Sequence, residues 1–155
     1  PRRLRVRATS TEEAVISPAT KSMGGNMKAQ TFDDAVGEAV TGERAALRAL
    51  QIWQILISRA SSSSIITYGE LAEILGYGGA GVFAGILGHI LHYCQQNELP
   101  PLTSIVVNQE TGLPGEGFGM RPERIPPRHM EVFNYNWFGL VPPTMDELKE
   151  AFAEG

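Results

Sequence analysis

The chain has 155 residues, a formal net charge of −4, 43% hydrophobic and 8% aromatic residues, and one cysteine, Cys94. That length suits one domain with appendages, and that apolar content is too high for a chain disordered throughout. The composition excludes an internal disulfide, and no apolar run reaches the ~18 residues of a membrane helix. The acidic balance also withholds the support that a basic chain lends to nucleic-acid binding.

Residues 1–30 mix Arg, Ser, Thr and Gly without periodicity and read as a flexible arm, part of it foreign to the natural protein, with Met27 a candidate start. Pro1 to Arg7 is basic, but no apolar segment follows, so it is not a secretory signal. A lone cysteine fits a reducing compartment, and a cytoplasmic location is expected.

Residues 31–155 are expected to form a single domain. Thr31, followed by Asp33 and Asp34, marks a first helix start. From Glu43 to Arg59, Ala46, Ala49, Leu50, Trp53, Leu56 and Ile57 recur at three- and four-residue steps, which predicts a core helix with Thr41 as its cap. Thr67 and Glu70 form a capping box for a helix that buries Leu71, Ala72 and Leu75 and stops at Gly76. The next helix is predicted over 81–95. Phe83, Ile86, Leu87, Ile90, Leu91 and Cys94 make its apolar face; Gly81, Gly85, His89 and His92 lie opposite. Two helices joined by a short Gly turn are a helix-turn-helix candidate.

The β-branched run Leu102–Val107 reads as a strand, and Asn108–Gly119 as a hairpin or wing. Residues 121–131, with three prolines, read as loop, and Val132–Phe138 as a short strand with aromatic anchors. The Thr144/Glu147 box opens a last helix ending near Ala153. The expected fold class is α+β, mainly helical, with a winged-helix-like centre.

The order of these parts resembles the C-terminal domain of alkylguanine-DNA alkyltransferases. The resemblance covers residues 43–118. It rests on Ile52-Trp53-Gln54-Ile55-Leu56, on Thr67-Tyr68-Gly69-Glu70-Leu71-Ala72, on a recognition-like helix at Gly81–His92, and on Leu102–Val107 where the family has its Pro-Cys-His-Arg-Val-Val segment. By this alignment Thr103 holds the position of the nucleophilic cysteine and Ser104 that of the histidine after it. A threonine hydroxyl has a far higher pKa than a thiol and no base is evident beside it, so alkyl transfer is not expected. Alkyltransferase-like proteins, which are similar to this chain in lacking the cysteine, are non-enzymatic binders of DNA lesions; they keep a His-Arg that this chain lacks. The family's base-displacing arginine falls near Val82, and the helix carries no arginine. A buried Val82 is the commoner outcome for such a residue. Tyr68 matches a family tyrosine that lies against the DNA backbone.

Between Ala60 and Met120 there is no Lys or Arg, while Glu70, Glu73, Glu98, Glu110 and Glu116 give that stretch a formal charge of 0 − 5 = −5. Duplex affinity depends on cations that displace counterions from phosphates. Here the cations lie in the arm, at Arg44, Arg48 and Arg59, and at Arg121, Arg124 and Arg128. The expectation is a non-enzymatic DNA-binding module without cofactor or metal; the alternative is a protein-interaction or regulatory module that reuses the scaffold. The candidate contact residues are Tyr68, Gly81, Val82, Gly85, His89, Thr103, Ser104, Arg121 and Arg124. Partners are double-stranded DNA or, on the alternative, a protein or a second copy; no membrane is involved.

Three other constellations carry less. His89 and His92 share a helix face, but Cys94 points to the apolar face, so a metal set does not converge and two surface histidines are expected. Thr103 and Ser104 lack the surroundings of a nucleophile elbow. The Gly-rich stretch 108–119 lacks the Lys-Ser/Thr and following helix of a phosphate loop. Gly81, Gly85 and Gly88 permit close backbone approach, either by a second copy or by residues 121–140.

Overall fold

The computed structural model describes residues 29–36, 42–115 and 121–155. The chain divides between Glu38 and Ala39. Before that point lies α1 (Phe32–Val36), with Thr31 Oγ1 accepting the Asp34 N–H at 3.0 Å as a helix cap. Most of the arm, and Met27 with it, lies outside the described residues.

After that point the described residues are mainly helical, with one two-stranded sheet. In chain order they form α2 (Glu43–Ser61), β1 (Ile66–Thr67), α3 (Tyr68–Leu75), α4 (Phe83–Gln96), β2 (Val106–Val107), α5 (Ile125–Asn134) and α6 (Met145–Glu154). Short 3-10 turns occupy Leu102–Ile105, Pro122–Arg124 and Trp137–Gly139. No helix of the described residues is long and apolar enough to cross a membrane.

The core is built on α2, whose Ala46, Ala49, Ile52, Trp53, Leu56, Ile57 and Ala60 are buried along one stripe. The stripe is the predicted one with Ile52 and Ala60 added and Leu50 at its margin. Trp53 is the hub: Tyr93 and Trp137 both meet it edge-on with centroids at 5.7 Å. The residue that begins α2 is Gly42, in the left-handed region at φ +95°, and no side chain caps it. Thr41, the cap expected from the sequence, lies outside the described residues.

Both predicted capping boxes are formed. Thr67 Oγ1 accepts the Glu70 N–H at 3.0 Å while the Glu70 carboxylate accepts the Thr67 N–H at 3.2 Å. The Thr144/Glu147 box opens α6 at 2.9 and 3.1 Å. Gly76, at φ +78°, ends α3, and Tyr77 then turns inward to meet Phe83 edge-on and accept a hydrogen bond from Arg48 Nε at 3.0 Å.

Three expectations are corrected downstream. The strand predicted over Leu102–Val107 is a 3-10 turn for four residues and a strand only at Val106–Val107. It pairs in parallel with β1, Ile66 to Val106 and Thr67 to Val107. The proline-rich 121–131 stretch is not a loop: it is a 3-10 turn running into α5. Its prolines sit in first turns, where the missing N–H has no partner to lose. Val132–Phe138 is not a strand either; Trp137 leaves the end of α5, is buried, and donates from Nε1 to the Val132 carbonyl at 2.7 Å.

Candidate functional site

The parallel pairing of β1 with β2 places the start of α3 beside the 3-10 turn at Thr103. Between them, and against one side of α4, opens a cavity of about 420 Å³. Tyr68, the first residue of α3, and Thr103 form one side. Ala80 and Gly81 of the α3–α4 turn, with Ala84, Leu87, Gly88 and Leu91 of α4, form the other. Pro114 and Gly115 close the rim. None of these residues is charged.

Tyr68 holds the rim in place. Its hydroxyl accepts the Gly115 N–H at 3.0 Å, which leaves the phenolic proton able to donate to a ligand. A β-carbon on Gly115 would stand 2.6 Å from that oxygen and would force the hydroxyl to shift. Upstream of Gly115, the Asn108 side chain accepts the Glu110 N–H at 2.8 Å and its backbone N–H donates to the Leu113 carbonyl, closing a tight turn.

Thr103 and Ser104 are both buried, and among the described residues Thr103 Oγ1 and Ser104 Oγ have no hydrogen-bond partner. A buried hydroxyl without a partner is costly, by about 1–3 kcal/mol. The Thr103 hydroxyl therefore belongs to a wall that a ligand or water would satisfy. The Ser104 carbonyl accepts from His129 Nε2 on α5 at 2.6 Å, which ties α5 to the same turn.

Cys94 is on the core side of α4, and burial pushes its thiol up to about 12. A thiol held neutral and away from the cavity is not a nucleophile. Thr103 stands in the cavity wall, and among the described residues Tyr68 is the one titratable group that lines the cavity.

The structure thus brings together Tyr68, Gly81 and Thr103 of the candidate set, with Ser104 just behind them. Val82 and Gly85 are exposed at the start of α4 but do not line the cavity. Val82 is 49% exposed, so the expectation of burial is corrected: it falls on the turn leading into α4, ahead of the first core residue, Phe83. Arg121 and Arg124 are exposed around the 3-10 turn before α5, with Arg121 3.8 Å from Glu123. His89 departs furthest from expectation. It is 4% exposed, its Nδ1 donates to the Gly85 carbonyl at 2.9 Å, and its ring is stacked on Phe152 of α6. The reason is tertiary: α6 packs across that face of α4.

The close approach permitted by the small residues is likewise taken up by α6. A β-carbon on Gly88 would stand 2.8 Å from the Phe152 ring, whereas nothing lies within 4 Å of Gly81 or Gly85. Leu91, Pro114 and Gly115 were missed as wall residues because their joint position depends on the β1–β2 pairing, which has no local pattern.

Comparison with known proteins adds no relative: no family model, no curated protein and no solved structure matches the chain.

Proposed function

We propose that this chain is a non-enzymatic DNA-binding module of alkyltransferase-like type, with a winged-helix-like centre, which holds an unstacked base in the cavity beside α4 without transferring a group from it. The observation that carries this reading is the cavity itself. It measures about 420 Å³, and its lining includes Tyr68, Gly81 and Thr103, three positions to which the resemblance points. An uncharged pocket with hydroxyls at one side suits a neutral heterocycle, which stacks on apolar surface and hydrogen-bonds at its edges. Phosphate contacts fall to cations outside the cavity, with Arg121 and Arg124 the exposed ones nearest in the chain to its Gly115 rim.

The second reading, a protein-interaction module, draws on a different observation. Ile74 and Val82 are exposed, and the whole stretch between Ala60 and Met120 lacks a cation. Such a surface suits an apolar partner better than a phosphate backbone.

Titration of undamaged and O6-alkylguanine-containing duplexes at several salt concentrations separates the two. The DNA reading expects tighter binding to the alkylated duplex and an affinity that falls with salt. Absence of binding to either duplex at micromolar protein and low salt overturns it. Transfer of labelled alkyl from guanine to the chain would overturn the non-enzymatic part.

A further inference from the structure

On the side of α4 that α6 covers, Gly88 leaves a notch between His89 and His92, and Phe152 fills it. The Phe152 ring lies parallel to the His89 imidazole, with centroids 4.2 Å apart and planes within 6°; His92 meets the same ring at 6.1 Å. A β-carbon on Gly88 would stand 2.8 Å from the Phe152 ring and would push it out of the notch. The backbone of Gly155 abuts His92. Elsewhere α6 is held by burial of Leu148 and Ala151 and by a hydrogen bond from Gln96 Nε2 to the Ala151 carbonyl at 2.8 Å.

We infer that the Phe152–His89 stack is a proton-operated latch: neutral His89 keeps the last turn of α6 docked on α4, and protonated His89 releases it. This goes beyond the DNA-binding reading and does not depend on it.

The groups around His89 give the latch its direction. On α4, His92 lies one turn on and disfavours a charge on His89. From α6, Leu148, Ala151 and Phe152 face α4, and all three are apolar. The charged residues of α6 are placed otherwise: Lys149 pairs with Glu43, Glu147 acts on Tyr93, and Asp146, Glu150 and Glu154 are exposed. No carboxylate among the described residues pairs with His89 in a salt bridge to favour its charged form. Burial accordingly holds His89 below its ordinary 6.5, against the opposing pull of backbone hydrogen bonds at Gly85 and Ile86 and with a smaller lowering by His92. The undocked form takes up its proton first. Docking is fully stable above about 6.5 and weakens as pH falls through that value towards the docked midpoint.

Proton NMR of the full chain between pH 8 and 5 tests this through the His89 ring and the Phe152 ring together. The expected result is a His89 midpoint below 6.5 and movement of the Phe152 signals with the same midpoint. Phe152→Ala is expected to bring the His89 midpoint up to about 6.5, the value of a solvated imidazole. His89→Gln, which keeps a donor for the Gly85 carbonyl, is expected to leave the Phe152 signals unchanged with pH. A Phe152 environment that stays constant while His89 titrates overturns the latch, since the cation would then be held on the ring face by cation–π attraction. A His89 midpoint at or above 6.5 in the unaltered chain overturns it too. Should His89→Gln fail to fold, the unaltered chain and Phe152→Ala still decide.

Discussion

Thr103 lines the cavity with a hydroxyl that lacks a partner. Thr103→Val keeps the shape and removes the unsatisfied oxygen, so it is expected to raise stability by about 1 kcal/mol in urea denaturation. Under the DNA reading the same variant loses discrimination between alkylated and undamaged duplexes. Tyr68→Phe leaves the Gly115 N–H without its acceptor and is expected to cost about 1 kcal/mol in the same measurement. Cys94 supplies a pH prediction. Its folded value is raised from 9.0 to about 12, so the stability it contributes is complete below pH 9 and is lost as pH rises from there towards 12. Native protein at pH 8 is therefore expected to resist thiol reagents until unfolded, and Cys94→Ala is expected to flatten the alkaline arm of the stability profile.

At the scale of elements, the local signals that succeeded were those in which both partners are near in sequence. The capping boxes at Thr67 and Thr144 span three residues each, and both are formed. Thr67→Ala and Thr144→Ala are each expected to lower stability by about 1 kcal/mol, seen as a lowered thermal midpoint. The stripes of α2 and α4 were legible for the same reason, since a helix repeats its buried face every three or four residues. The prolines before and inside α5 misled because proline breaks a helix interior yet is welcome in its first turn, and composition alone does not say which turn it occupies. Trp137 misled in a similar way. Alternating aromatics suggest a strand, but its indole is anchored by a carbonyl of the helix before it and by a T-shaped contact with Trp53.

For the whole molecule, Trp53 joins α2 to Tyr93 on α4 and to Trp137 beyond α5. Trp53→Ala is expected to cost about 3–5 kcal/mol, enough to remove most of the stability of a domain this size. Its loss should show as an early or absent cooperative transition in denaturant. Charge is also a property of the whole chain. Arg124→Ala is expected under the DNA reading to weaken duplex binding for every sequence alike and to lower the salt slope by about one, as removal of one phosphate contact does.

Periodicity and capping, read from residues alone, determined the helices that frame the site, and composition alone showed the absence of Lys and Arg between Ala60 and Met120. The cavity, the burial of His89 beneath Phe152 and the tie of the Gly115 rim to Tyr68 were decided only in three dimensions. Each of these joins groups far apart along the chain. Their meeting depends on the β1–β2 register and on how α6 crosses α4, and neither leaves a repeat in the sequence.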